Sequence, residues 1–596
     1  MRVSRVVVKN YRSLKFVDFS FSELSTTIIG ENNTGKSNLL LALRICLDVQ
    51  LSSAFRFLQK EDIHCQVDQS EPFQVIIGVE FSSFEGNENE EALLHGTQIG
   101  DNRARIFYRF RPKRAVREAI VRGEGPAELT PEHYSWELFG GGNPEVDLTA
   151  IEWNLDNEEF GASVVSLQYL QSYLVVFLPA LRDVESDLQQ SRRSLLTRLI
   201  EATGIAPTEQ QSLINAIMAA NDQIAASPTI DGIGTAIDAA LKQITGPAFE
   251  LDVELGLTAP TFQSIIRNLI VLLSNDLVSK YEPRRNGLGM NNILYIAMLV
   301  EYFRKRSAIG RSAGELILIE EPEAHLHPQL QSTLLEGLRE LPFQSILTTH
   351  STQVTAKVPL SSYVILTKST DGTPIGAVPA LTSGLSKTEQ EDLNRYLDAT
   401  KSNLLFARRV LLVEGAAELI LLSPLVKQIM GVDLEREGIS VVAIHGTHFT
   451  PYAKLFSHGA LPKKCAIVAD ADQNLNVDAS IPATDDPPPT HNLYALVGPF
   501  VQVHLGKTTF ECEITIEKNV EWLSKVADEL GAPRLKSDLD LCGIIGGEPD
   551  NILKAKVLRT AKRFGKARFA QVAARHVGYA GDLPEYIRAA VDWLRA

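Results

Sequence analysis

Apolar positions in the first 180 residues fall into short runs separated by polar turns. Residues 2–8, 26–29 and 73–81 carry strand-like patterns, whereas 37–47 repeats its apolar positions at helical spacing. Strands alternating with a helix predict an α/β head. From about 181 to 242 the pattern changes. Leu195, Leu196, Leu199 and Ile200, then Leu213, Ile214 and Ile217, recur at helical intervals without β-branched alternation and predict an inserted helical unit. Strands are expected to resume after it, ending in the run Leu316, Ile317, Leu318, Ile319, with a polar, turn-rich stretch at 370–386. Beyond a boundary near Thr400, the runs 410–413 and 466–468 each stop abruptly at an acidic residue and predict a second, smaller α/β domain. Pro482, Pro487, Pro488 and Pro489 make 476–490 an expected exposed loop. The expected division is therefore 1–182 and 243–400 for the two parts of the head, 183–242 for the insertion and 401–596 for the C-terminal domain.

Composition narrows the class. At about 150 residues per domain, the 596 residues exclude a single small module. With 44% hydrophobic and 22% charged residues, the chain is neither mainly disordered nor fibrous. A net charge of −15 excludes a uniformly basic nucleic-acid coat but leaves room for a local basic groove. Lys9, Asn10 and Arg12 interrupt the N-terminal apolar run, and no run approaches about 20 apolar residues, so neither a secretory segment nor a membrane span is expected. Five scattered cysteines without a C-x-x-C pair point to the cytoplasm rather than to a disulfide framework or zinc site.

The first chemistry-bearing motif is Gly30-Glu31-Asn32-Asn33-Thr34-Gly35-Lys36-Ser37, which fits G-x-x-x-x-G-K-[ST] between a strand and a helix. Its glycines let backbone N–H groups face a polyphosphate, Lys36 neutralises β/γ charge, and Ser37 supplies a Mg²⁺ ligand. The run 316–319 delivers Glu320 and Glu321 to the same sheet edge, one carboxylate for Mg²⁺ and the next to polarise the attacking water. Glu323, His325 and His327 also admit a zinc reading, but three ligands of the usual geometry are not evident. A third run, 345–347, ends in Thr348-Thr349-His350, within reach of a γ-phosphate. The phosphate loop, Asn286-Gly287-Leu288-Gly289, LILIEEPEAHLHP and TTH together resemble the ABC-type ATPases of the SMC and RecF group. That resemblance implies Glu320 on Mg²⁺, Glu321 as catalytic base and His350 as switch histidine. It also implies Gly287 and Gly289 as the signature loop closing over a partner subunit's γ-phosphate, without that group's Leu-Ser-Gly start, and Arg12 as the arginine preceding the phosphate loop.

The second constellation lies in the C-terminal domain. Residues 410–413 deliver Glu414 at a strand end, and Gly415 turns the chain so that Glu418 falls in the next helical turn. Asp470 and Asp472, at i and i+2, point to one side of an extended chain, a spacing that Glu511 and Glu513 repeat. Acids converging on one edge repel one another unless hard cations compensate, and Mg²⁺ or Mn²⁺ suits an all-oxygen set. Two such ions would activate a water and stabilise the leaving oxygen of a phosphodiester. Residues 551–570 carry Lys554, Lys556, Arg559, Lys562, Arg563, Lys566 and Arg568 without an acid, a face suited to a phosphate backbone. Arg103, Arg105, Arg109 and Arg111 alternate with apolar residues and predict a second basic surface, on an exposed strand face.

The order Glu-Gly, Asp-x-Asp and a later Glu resembles the Toprim fold of topoisomerases, primases and nucleases. With no tyrosine assignable as a cleavage nucleophile, strand hydrolysis is expected over strand passage. An ABC-type head with a helical insertion followed by Toprim resembles the OLD (overcoming lysogenization defect) family of nucleases, a layout the Gabija antiphage nuclease subunit shares. The resemblance implies Glu414, Glu418, Asp470, Asp472 and Glu511 on two metal ions, a third ion with ATP, and Lys566 as the lysine of a K-G-x-F-A-like motif in which Ala567 replaces glycine. It implies a homodimer formed through the insertion and a helicase partner of the UvrD/Rep type. The expected function is a DNA endonuclease or nickase gated by its ATPase; the alternative is an ATP-dependent DNA-binding clamp or sensor with a non-catalytic Toprim domain.

Overall fold

A computed structural model describes residues 1–155, 160–180, 194–246, 251–274, 276–285, 287–308, 310, 312–324, 326–368, 374–473 and 491–596. The chain forms two compact units, one of Met1–Leu178, Leu316–Glu323 and His327–Ala596, the other of Pro179–Glu315 and Ala324–Leu326. Asn286, His325 and the expected loop 476–490 lie outside the described residues.

Three sheets organise the first unit. The first runs β2 (Leu14–Ser20), β1 (Arg2–Tyr11), β4 (Val75–Ser82), β6 (Arg103–Pro112), β7 (Tyr134–Gly141), β8 (Ala162–Val164), with β5 (Gln98–Gly100) beside β6. The expected arginine surface on β6 is overturned, because Arg105, Arg109 and Arg111 are each 1% exposed. Their guanidiniums donate to Glu80 and Gln74 and to the carbonyls of Glu152, Trp153 and Leu155. Residues 152–155 form neither helix nor strand, so their backbone acceptors need side-chain donors, and the arginines supply them. Strand alternation reads which side chains share a face; it does not read what covers that face.

The second sheet has the order β13 (Pro374–Ala377), β12 (Tyr363–Lys368), β3 (Ser25–Gly30), β11 (Gln344–Thr349), β10 (Glu315–Glu320), β9 (Leu174–Leu178), with β12, β3, β11 and β10 mutually parallel. Strands of a parallel sheet are covered on both faces and read as unbroken apolar runs. Ile28, Ile29, Leu316 to Ile319, Ile346 and Leu347 are fully buried, each worth roughly 1.5–3 kcal/mol. The turn-rich stretch expected at 370–386 contains β13 and a short helix, Pro379–Thr382. The third sheet, β15 (Ile439–Ala443), β14 (Arg409–Val413), β16 (Cys465–Asp470), β17 (Val501–Gly506), is parallel throughout. The helices Ala416–Met430, Asn551–Phe564, Lys566–Arg575 and Glu585–Arg595 contribute to the core beside it.

The second unit is helical: Leu195–Thr203, Pro207–Ala225, Pro228–Thr245, Phe262–Arg267 and Leu288–Ala308. Of the strands expected to resume after the insertion, the last forms as β10, while Phe262–Arg267 and Leu288–Ala308 before it are helical. In Leu288–Ala308 the buried Gly289, Asn292, Ile296, Leu299 and Phe303 recur every three or four residues, a helical period that a strand cannot keep on one face. Arg198 stacks over Tyr302, 5.0 Å from its ring centre, and ties the first helix to the last. The helix Pro207–Ala225 has no buried residue, and Leu213, Ile217, Met218 and Ile224 stand exposed on it. Among the described residues, no helix is long and apolar enough to cross a membrane.

Candidate functional site

The carboxyl ends of β3, β11 and β10 lie side by side and build the first centre. Gly30 closes β3 where the Leu366 carbonyl oxygen would lie 2.1 Å from any added Cβ, so only glycine fits. Asn33 and Gly35 adopt left-handed backbone, φ 62° and 92°, and curl the loop into the helix Lys36–Leu47. A Cβ at Gly35 would also strike Leu14 and Ser13 at 2.6 and 2.7 Å. Lys36 Nζ donates to the carbonyls of Gly30 and Glu31, at 3.0 and 2.7 Å. Burial pulls the Lys36 ammonium down to about 8, opposed by the carboxylates of Glu321, Glu31, Glu323 and Glu320. Ser37 Oγ donates to Glu320 Oε1, which joins the two residues expected to share Mg²⁺.

Glu321 sits one residue beyond β10 in left-handed backbone, φ 44°, its N–H bonded to the Thr348 carbonyl at 3.0 Å. That strain aims the carboxylate at His350, whose Nε2 is 3.5 Å from Oε1. Burial, aided by the Lys36 charge, pulls His350 down to about 4, so its imidazole is neutral near pH 7. Glu323, considered for zinc from the sequence, instead accepts from Thr349 Oγ1 and from the His350 N–H at 3.1 Å, and so holds the histidine's backbone. His327 caps the helix Pro328–Arg339 through Nδ1. Arg12, also left-handed at φ 47°, bonds Asp62 at 2.9 Å and Asn38, in the first turn of the phosphate-loop helix, at 3.4 Å. In the second unit, exposed Gly287 precedes the helix Leu288–Ala308 and buried Gly289 lies in its first turn.

The second centre forms at the carboxyl edge of the third sheet. Glu414 follows β14 and accepts the Asp470 N–H at 3.0 Å. Burial pushes its carboxyl up to about 7, with the charges of Glu418 and Asp472 acting in the same direction. Gly415 starts the helix Ala416–Met430, placing buried Glu418 in its first turn, 3.3 Å from where a Gly415 Cβ would stand. Asp470 ends β16, accepts the Phe510 N–H at 3.1 Å, and is raised by burial and then by Glu414 and Glu418. Asp472 is exposed, in left-handed backbone at φ 49°. Glu511 is 0% exposed, with Lys566 Nζ 3.0 Å from its Oε2. Burial opposes the Lys566 charge, but Glu511, Asp470 and Glu418 together raise its pKa above the ordinary lysine value.

Glu513 departs from the expected pairing with Glu511. Residues Phe510–Glu513 are helical, so a spacing of two turns the side chains apart by about 200°. Glu513 accepts from Thr508 N and Oγ1 instead, at 2.9 and 2.7 Å. Sequence reasoning also missed Lys463, two residues before β16. Its buried ammonium bonds the Ala407 carbonyl and Glu31 of the phosphate loop, both at 2.8 Å, while Arg408 lies 3.8 Å from the same carboxylate. Tyr586 presses its ring on Gly506, and its hydroxyl is buried without a hydrogen-bond partner among the described residues, in a field set by Asp470, Glu513, Glu418 and Glu511.

Among the described residues, no three His, Cys, Asp or Glu side chains already form a metal cage. The donor set nonetheless fits a hard divalent ion: all are carboxylates, three are raised by burial and mutual repulsion, and Glu511 is fully buried with Lys566 beside one of its oxygens.

A model of the AAA ATPase domain matches residues 1–121 and 144–355, more than half of the chain. A model described as overcoming lysogenization defect protein-like, TOPRIM domain, matches 405–472. Endonuclease GajA of Bacillus cereus (strain VD045) is 24% identical over 466 residues, 76% of this chain and 72% of that protein. Old nuclease of Escherichia phage P2 is 24% identical over 510 residues, 80% of this chain and 78% of that protein. The solved C-terminal region of the Burkholderia pseudomallei OLD protein is 25% identical, covering 32% of this chain and 98% of that one, at a TM-score of 0.25. The chain thus belongs to the AAA ATPase domain family and carries an OLD-like Toprim domain behind its ATPase head.

Proposed function

We propose that this protein is a divalent-metal-dependent DNA endonuclease or nickase whose ATPase head gates cleavage. The observation carrying the reading is the fully buried Glu511 carboxylate, beside Lys566, set with Glu414, Glu418 and Asp470 at the edge of a parallel sheet. Names of relatives over most of the chain support it.

Glu414, Glu418, Asp470, Asp472 and Glu511 would hold two Mg²⁺ or Mn²⁺ ions. When bound, such ions activate a water and stabilise the leaving oxygen of a phosphodiester. Lys566, beside Glu511, then turns its charge to the scissile phosphate. In the head, Gly30, Asn33, Gly35 and Lys36 cradle ATP, Ser37 and Glu320 take its Mg²⁺, Glu321 orients water, and neutral His350 donates toward the γ-phosphate. Arg12 braces the first turn of the phosphate-loop helix. Gly287 and Gly289 close on a second copy, and the insertion 183–242 joins the copies through the exposed apolar residues of Pro207–Ala225. Residues 1–182 and 243–400 form the head and 401–596 the nuclease domain, acting on DNA in the cytoplasm, with a UvrD/Rep-type helicase as a further partner.

Supercoiled plasmid incubated with Mg²⁺ or Mn²⁺ tests the reading: nicked or linear product is expected, and Glu414→Ala should abolish it. The Lys566 ammonium, 3.0 Å from Glu511 Oε2, favours a second reading, an ATP-dependent clamp with a structural Toprim domain. On the same gel that protein leaves plasmid intact.

A further inference from the structure

The helices Pro533–Ile545 and Asn551–Phe564 flank an open groove of about 710 Å³. Its walls carry Arg534, Lys556, Arg559 and Arg563 against one acid, Asp538. Lys556 is paired with that acid at 2.7 Å. The three arginines are exposed, and among the described residues none forms an ion pair. Arg559 Nε turns back to the Ala555 carbonyl at 3.3 Å, and Arg563 lies 5.4 Å over its neighbour Phe564.

Three guanidiniums on one groove repel one another, in a chain whose net charge is −15. They match a ligand with regularly spaced anions, and the guanidinium fork fits phosphate. The groove's position selects the ligand further. The helix Asn551–Phe564 turns at Gly565, φ 90°, directly into Lys566, which reaches Glu511. Arg559 and Arg563 lie about one turn apart on that helix, about 6 Å of rise. That rise is roughly two base-pair steps of about 3.4 Å. The helix lining the groove leads into the residue beside the carboxylates, which favours the nuclease's own polyanionic substrate over an acidic peptide or a lipid surface.

We propose that this groove binds the sugar–phosphate backbone of DNA on one side of the cleavage point, with Arg534, Arg559 and Arg563 each taking a phosphate. The inference rests on the nuclease reading and adds to it where the substrate enters. Phosphate contacts carry no base information, so the groove sets register rather than sequence preference.

The test measures binding of full-length protein to a short DNA duplex at several salt concentrations without divalent metal, in a Glu414→Ala background. The triple variant Arg534→Ala, Arg559→Ala, Arg563→Ala is expected to bind about 10- to 100-fold more weakly, with a salt slope shallower by about 0.9 per arginine. Asp538→Asn, which frees Lys556, is expected to tighten binding severalfold, and this gain cannot come from misfolding. ATP turnover without DNA reports that the triple variant is folded. Unchanged affinity and slope in both variants would overturn the proposal, as would loss of binding to phosphatidylserine vesicles with DNA binding intact. Failure of the nuclease reading is seen elsewhere, as wild-type protein that leaves plasmid uncut with Mn²⁺ while the binding result stands.

Discussion

The phosphate-loop centre and the Toprim centre each sit at the carboxyl ends of parallel strands in one chain, yet they are built on opposite principles. The first is a cradle for an anion. Its shape comes from backbone, from Gly30, Asn33 and Gly35, and its lysine is satisfied by the loop's own carbonyls. The second is a cradle for cations, made by burying like charges until their carboxyls rise, Glu414 to about 7. Lys566 offsets part of that repulsion. An anion site made of amides is stable without its ligand, whereas a cation site made of carboxylates carries electrostatic strain.

The largest expected effect separates the two centres outright. Glu414→Ala should lower plasmid cleavage by at least about 10³-fold, some 4 kcal/mol, while ATP turnover stays within twofold. Lys36→Ala should abolish ATP binding and hold cleavage at its nucleotide-free level. Loss of ATP turnover in Glu414→Ala would show a single shared centre.

Lys463→Met addresses the link between them. It removes the buried cation that joins Glu31 to the base of the strand carrying Asp470. Because Glu31 is 22% exposed, the stability loss should be about 1–2 kcal/mol, below that of a fully buried broken pair. The more telling readout is the ratio of cleavage with and without ATP, which should collapse toward one. A ratio equal to wild type would mean that nucleotide and nuclease communicate by another route.

Within the head, Glu323→Gln should slow ATP turnover about tenfold with little change in KM, since it loosens the backbone holding His350. Single-turnover kinetics read this directly; an unchanged rate would assign Glu323 to folding alone.

The smallest effect tests the strain itself. Glu511→Gln should raise metal-free thermal stability by about 1 kcal/mol, because it neutralises a fully buried carboxylate whose partner cation, Lys566, remains 41% exposed to water. Added Mg²⁺ should stabilise the wild type more than this variant. Destabilisation by the same substitution would make the Glu511–Lys566 pair a structural bond rather than a strained one.

Legibility differed between the centres for the same reasons. The anion cradle is local, so eight consecutive residues announce it. Glu414, Asp470 and Glu320 were readable because an unbroken apolar run that stops at an acid marks a buried strand and its carboxyl end. Glu513 misled because a spacing of two means one face in a strand and opposite faces in a helix, and the short turn Phe510–Glu513 is helical. Arg105, Arg109 and Arg111 misled because no property of β6 says that residues 152–155 lie over it.

The sequence by itself determined the chemistry of each strand end and the order of the two domains, since both follow from patterns only a few residues long. The tertiary structure alone decided which acids share an edge, which arginines face water, and that Lys463 meets Glu31 across more than 400 positions of chain. Those outcomes depend on what packs over a face. Burial sets the energy of a charge, and burial is a property of the folded whole rather than of any segment.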